Sequence, residues 1–101
     1  MKSLEVNKIL WRIDMDGDVR NLIRHFPPDL RQKVKASLRS IAEDPFLGKP
    51  LQQDLKGLYS YRIRSFRIIY ARDVSRKCVH LITIGPRKTV YEDLEKSLRR
   101  S

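Results

Sequence analysis

The run Tyr59-Ser60-Tyr61-Arg62-Ile63-Arg64-Ser65-Phe66-Arg67-Ile68-Ile69-Tyr70 constrains the fold of this chain more than any other stretch. Apolar or aromatic side chains fall at every second position on either side of Arg64-Ser65, which is the period of a strand with two unlike faces. Antiparallel pairing about a two-residue turn at Arg64-Ser65 sets Ile63 opposite Phe66, Arg62 opposite Arg67, Tyr61 opposite Ile68 and Tyr59 opposite Tyr70. One face is then an apolar surface of Tyr59, Tyr61, Ile63, Phe66, Ile68 and Tyr70, and the other presents Ser60, Arg62, Arg67 and Ile69. Like charges directly opposite, with Cβ atoms ~4.5–5.5 Å apart, destabilise a hairpin unless a counter-charge meets them. Here that counter-charge is either an acidic neighbour aided by water and salt, or a phosphate, which guanidinium forks match bidentately.

The remaining pattern supplies what the apolar face packs against. Ile9, Trp11, Ile13 and Met15 alternate with Leu10, Arg12, Asp14 and Asp16, the period-2 pattern of a half-buried strand. Asp18 is a candidate cap for a helix whose Val19, Leu22, Ile23 and Phe26 share one side, and Pro27-Pro28 ends it. A second helix starts near Asp29, with Leu30, Val34, Leu38, Ile41 and Ala42 on its apolar side, and stops at Asp44-Pro45. Gly48, Pro50 and Gly57 punctuate a polar connector leading into the hairpin, and Val79–Ile84 is a further short strand ending at Gly85-Pro86. Thr89-Val90-Tyr91-Glu92 has capping-box spacing for a last helix, with Leu94 and Leu98 as its apolar seam and Arg99 and Arg100 at its C-terminal dipole. The order predicts an α+β fold: a small antiparallel or mixed sheet, an N-terminal αα-hairpin on one face, a short C-terminal helix, and the other face open.

At 101 residues, 1–101 reads as a single domain. Its 22 Lys and Arg outnumber 12 Asp and Glu, a net charge of +10 that favours nucleic acid, the ribosome or an acidic protein as partner. No stretch has the length of a membrane span or the layout of a secretory signal, so a cytoplasmic protein with no membrane partner is expected. The single Cys78 cannot form an intrachain disulfide. One Cys and two separated histidines, His25 and His80, do not suggest a tetrahedral metal set, and structural roles are expected for both histidines. The Asp14-Met15-Asp16-Gly17-Asp18 run lacks the downstream Glu of a calcium loop and fits a strand end and helix cap. No cofactor or metal is expected.

A second basic cluster lies in Ile84-Gly85-Pro86-Arg87-Lys88-Thr89-Val90-Tyr91, where a strand gives way to a helix. Two cations, exposed amides, a positive dipole end and a phenol within a few residues can cradle a phosphate, although such a turn is also common as a plain solvated connection. With the hairpin, this cluster resembles the RelE/ParE superfamily of toxins from toxin-antitoxin pairs. The resemblance runs from about Phe26 through PPDLRQKVKASLRSIAEDP, GKPLQQDLKGLYSYRIRSFRIIYARD and VHLITIGPRKTVY, while the first 25 residues fit in outline.

The RelE branch, to which the resemblance points more closely, cuts messenger RNA in the ribosomal A site through the RNA's own 2′-hydroxyl, without metal. Its arginine, arginine and tyrosine positions correspond here to Arg67, Arg87 and Tyr91. Lysines of its second strand are replaced by Ser60 and Arg62, and a guanidinium keeps its charge but does not shuttle protons. The resemblance thus implies Arg62, Arg67 and Arg87 for phosphate charge and Tyr91 as base, with Lys88 or Lys56 able to substitute for it. Arg62, Arg64, Lys56 and Lys88 are the expected RNA contacts. It also implies a cognate acidic antitoxin, ribosome and mRNA as partners, and operator DNA contacted only through the antitoxin. Two alternatives stand beside this one: a ParE-like inhibitor of gyrase, and a non-catalytic RNA- or ribosome-binding domain.

Overall fold

The structure, a computed structural model, describes residues 10–100. The chain forms β1 (Arg12–Met15), α1 (Gly17–Arg24), α2 (Pro28–Glu43), β2 (Lys49–Pro50), a 3-10 turn (Gln53–Leu55), β3 (Leu58–Ile63), β4 (Phe66–Asp73), β5 (Cys78–Pro86) and α3 (Val90–Arg100). The strands make one mixed sheet in the order β1-β5-β4-β3-β2, with β1 parallel to β5 and all other pairs antiparallel. The α+β expectation holds. Ile9, placed in the first strand by its alternation, lies outside the described residues, as does the side chain of Arg100. No described helix is long and apolar enough to cross a membrane.

The hairpin register is the one its alternation demands: Ile63 pairs with Phe66, Arg62 with Arg67, Tyr61 with Ile68 and Tyr59 with Tyr70. Its two-residue turn holds Arg64 at φ 53°, a conformation that costs a non-glycine residue roughly 1–2 kcal/mol. The turn nonetheless closes, because the register on either side buries Ile63 and Ile68 in the main core. That core lies between the sheet and α1 and α2, and includes Val19, Leu30, Val34, Ile41, Tyr70, Val79, Leu81 and Ile84. Below it, Arg72 is sandwiched between the rings of Phe46 and Tyr59, at 4.3 and 3.8 Å from their centroids.

The expectation of an open second face is corrected. Ile69 is fully buried there in a smaller core with Leu55, Val90 and Leu94, to which Leu51, Leu58, Ile82 and Tyr91 add cover. Each such aliphatic side chain is worth roughly 1.5–3 kcal/mol when buried, enough to hold α3 and the connector on the sheet. Leu98, assigned to the α3 seam, is instead 48% exposed and is not among the residues of the second core. The first helix is capped by Asp16, not Asp18: Asp16 Oδ1 accepts from Val19 N at 3.0 Å, and Asp18 sits in the first turn, where its charge suits the dipole.

Tyr70, at the centre of the sheet, carries a hydroxyl that donates to Pro45 O and accepts from Gly48 N, both at 2.9 Å. A Cβ at residue 48 would lie 2.5 Å from that oxygen, so only glycine admits the contact. Removing the hydroxyl orphans two buried backbone groups, and Tyr70→Phe should cost about 1–3 kcal/mol in urea denaturation. Burial also raises the Tyr70 pKa above its ordinary 10.0, so the fold favours the neutral phenol. The stabilisation linked to this shift is complete below that value and is lost as pH rises through the higher folded one. Alkaline denaturation should therefore be steeper in the wild type than in Tyr70→Phe.

Candidate active site

At the turn end of the hairpin, Arg62 of β3 and Arg67 of β4 stand side by side on the face opposite α1 and α2. On its other flank Arg67 pairs with Gly85 of β5, which brings the following Arg87 to the same end of the sheet. The backbone ties the two turns together: Arg87 N donates to Ser65 O at 2.7 Å. Arg62, Arg64, Ser65, Pro86, Arg87 and Lys88 line a cavity of about 350 Å³ there. Among the described residues, no carboxylate lies in ion-pair range of Arg62, Arg67, Arg87 or Lys88. Of the two counter-charges the hairpin admits, the described residues supply no acidic neighbour for this set.

Arg67 carries the sharper signal. Its Nε and that of Arg72 are both buried without a hydrogen-bond partner among the described residues. Arg72 is compensated by two aromatic faces, whereas Arg67 has no such contact and lies beside Arg62 at the cationic end. An orphaned charged donor in a half-buried position is costly unless something outside the chain accepts from it.

Tyr91 reaches this face from the first turn of α3. Its hydroxyl is 2.8 Å from Ser60 Oγ, and Ser60 is two residues from Arg62 on the same strand face. Gly85 lets Val90 pack closely here, since a Cβ there would meet Val90 Cγ2 at 3.0 Å, tighter than an ordinary contact. Thr89 O accepts from Asp93 N at 2.9 Å, as the carbonyl of an N-cap residue does.

The structure thus brings Arg62, Arg64, Arg87 and Lys88 to one cavity, with Arg67 beside Arg62 and Tyr91 held by Ser60. Arg64 is partly diverted, forming an exposed ion pair with Asp29 at 3.6 Å. Lys56 is exposed after the 3-10 turn and is not part of the cavity lining. In the sequence Ser60 is placed on the face of Arg62 and read as standing where a lysine is expected, with no role of its own. Its shared face with Arg62 was the signal that it could hold a group brought in by the last helix.

The fold is that of solved RelE-type toxins. It resembles free Escherichia coli toxin RelE carrying two arginine-to-alanine changes, with a TM-score of 0.72, 19% identity, and coverage of 91% of this chain and 98% of that one. It also resembles the Mycobacterium tuberculosis RelBE2 toxin-antitoxin complex, with a TM-score of 0.71, 22% identity and coverage of 78% and 93%. A small α+β domain with the RelE fold is the class that this architecture defines.

The family model described as the ParE toxin of the type II toxin-antitoxin system parDE matches residues 9–91, and the chain belongs to that family. The match extends the likeness through β1 and α1, beyond the stretch from Phe26 where the resemblance is plain in sequence. Among curated relatives, toxin RelE of Mycobacterium tuberculosis is 44% identical over 45 residues, spanning 45% of this chain and 46% of the relative. By family it is a toxin of a type II toxin-antitoxin system, and its fold is RelE-like.

The Ser60–Tyr91 contact makes its own prediction. In a double-mutant cycle of Ser60→Ala and Tyr91→Phe, read by chemical denaturation, the pair should show a coupling of about 0.5–1.5 kcal/mol. Additive effects would mean that the two hydroxyls are held independently.

Proposed function

We propose that this toxin is a ribosome-dependent endoribonuclease that cleaves messenger RNA in the A site by attack of the RNA's own 2′-hydroxyl, needing no metal for the step. The observation that carries this reading is the unpaired cationic end of the sheet, above all the buried, partnerless Nε of Arg67. In the reaction Tyr91 takes the 2′-hydroxyl proton, O2′ bonds to phosphorus, and the bond from phosphorus to O5′ breaks. The products are a 2′,3′-cyclic phosphate and a 5′-hydroxyl. Arg62, Arg67 and Arg87 meet the charge that builds on the phosphate oxygens, and the Ser60 hydroxyl orients the Tyr91 phenol. The position of Lys88 on the cavity wall supports it as the donor to the departing O5′. Lys56, outside that wall, is better suited to contact RNA beyond the cut.

The net charge of +10 suits both the ribosome and an acidic antitoxin, and two similar solved structures are toxin-antitoxin complexes from Mycobacterium tuberculosis and Escherichia coli. In this reading the antitoxin supplies the contacts to operator DNA, and the toxin acts in the cytoplasm. The family description as ParE toxin favours a second reading, a non-nuclease toxin directed at gyrase.

Ribosomes translating a defined message, incubated with the purified chain, separate the two. The expected result is codon-phased cuts on the translated message, with naked RNA left whole. Arg67→Ala and Arg87→Ala should each slow cleavage ~10²–10³-fold, the usual loss for one donor to a developing oxyanion, while leaving thermal unfolding in place. Tyr91→Phe should slow it ~10²–10⁴-fold. Intact messages together with gyrase-dependent DNA breaks would move the protein to the second reading.

A further inference from the structure

The end of the sheet remote from Arg87 carries a second constellation. Cys78 and His80 lie two residues apart at the start of β5 and so share one face of it. The parallel pairing of β1 places Asp14 directly opposite His80. Asp14 Oδ2 and His80 Nδ1 are 3.1 Å apart, and the ligand atoms of Asp14, Cys78 and His80 all lie within 4.8 Å of one another. The thiol is fully enclosed, whereas the side chains of His80 and Asp14 are 43% and 57% exposed. Asp73 flanks Cys78 on β4, but its carboxylate is already engaged by Ser75 Oγ and Arg76 N.

We propose that Asp14, Cys78 and His80 bind a divalent zinc-class ion that clamps the edge strand β1 to β5. The donor set is one thiolate, one imidazole and one carboxylate, which suits a tetrahedral Zn²⁺ with water in the fourth position. An oxygen-seeking ion such as Mg²⁺ or Ca²⁺ would find one carboxylate where it needs several oxygens. Metal–ligand bonds of ~2.0–2.3 Å place tetrahedral ligands ~3.3–3.8 Å apart, so closure asks the widest pair to draw in by about an ångström. The His80–Asp14 hydrogen bond opens to admit the ion, and the Cys78 thiol releases its proton to solvent as the sulfur–metal bond forms. Thiolate and carboxylate together neutralise the two positive charges of the ion. The site lies at the opposite end of β5 from the catalytic arginines, and the inference is independent of the nuclease reading.

The test uses the tag-free chain, stripped of metal by a chelator and titrated with Co²⁺ and then Zn²⁺. The expected result is one ion per chain, a sulfur-to-cobalt charge-transfer band with tetrahedral d–d absorption, displacement by Zn²⁺, and a zinc-dependent rise in the thermal unfolding midpoint. Cys78→Ser removes the band but alters an enclosed position, so Asp14→Asn and His80→Gln, at exposed side chains, carry the comparison. Each should weaken Zn²⁺ binding at least ~10–100-fold, the loss usual for a partner outside the ligand set, while His25→Ala leaves it unchanged. Absence of the charge-transfer band, or Zn²⁺ binding that survives Asp14→Asn and His80→Gln unaltered, overturns the site whether or not the toxin cleaves RNA.

Discussion

Burial of β4 on both faces is the constraint on which the rest of the molecule depends. Ile68, Ile69 and Tyr70 are consecutive, point alternately to opposite sides of the sheet, and are all fully buried. A strand in that position needs an apolar layer above and below it. The helical hairpin supplies one, and α3 with the Leu51–Leu58 connector supplies the other. The charged side chains of β4 are thereby displaced to its ends, with Arg67 just before the buried run and Arg72 and Asp73 just after it.

The two ends meet the cost of charge in different ways. At the lower end Arg72 is stacked between Phe46 and Tyr59, and Asp73 accepts from the Arg76 backbone N–H and the Ser75 hydroxyl, two bonds that hold its carboxyl pKa below the ordinary value. Asp73 is thus paired within the chain, and the Arg72 charge meets two aromatic faces although its Nε has no hydrogen-bond partner among the described residues. At the upper end Arg62 and Arg67 face each other across the hairpin, Arg87 is drawn in by the Ser65 carbonyl, and no carboxylate among the described residues meets any of the three. Arg72 is thus met within the chain and the upper set is left without a counter-charge, which is the contrast on which the proposed phosphate site rests. Arg64, at the turn tip, is the exception there, and its exposed pair with Asp29 is too solvated to contribute much.

Legibility in the sequence followed how local each feature was. A period of two ties side-chain parity to face, so the hairpin register and the adjacency of Arg62 and Arg67 could be read without knowing what lay above or below. The cover on the second face could not, because Ile69 was a lone apolar residue among polar ones on that side, and its partners come from the connector, β5 and α3. Asp16 and Asp18 are equally able caps by residue type, and only the bond from Val19 N chooses between them. The trio of Asp14, Cys78 and His80 was hidden for the same reason as the second core. Its carboxylate arrives through a parallel pairing that spans 66 residues, and no spacing rule for metal ligands reaches across a crossover of that kind.

The second core also links stability to chemistry. Val90 and Leu94 anchor α3 over Ile69, and Tyr91, between them in sequence, is aimed at Ser60 by that same docking. Gly85 serves both functions at once: its missing side chain lets Val90 approach, and its backbone pairs with Arg67. The phenol and the arginines therefore come together only when α3 lies against the sheet, while the Arg62, Arg67 and Arg87 cluster is built by strand pairing and turn contacts alone. In the nuclease reading proposed for this chain, binding of a phosphate would rest on the sheet, and removal of its neighbouring proton would rest additionally on the helix. On that reading a loss of helix docking would separate the two properties, leaving a protein that holds RNA but does not cut it.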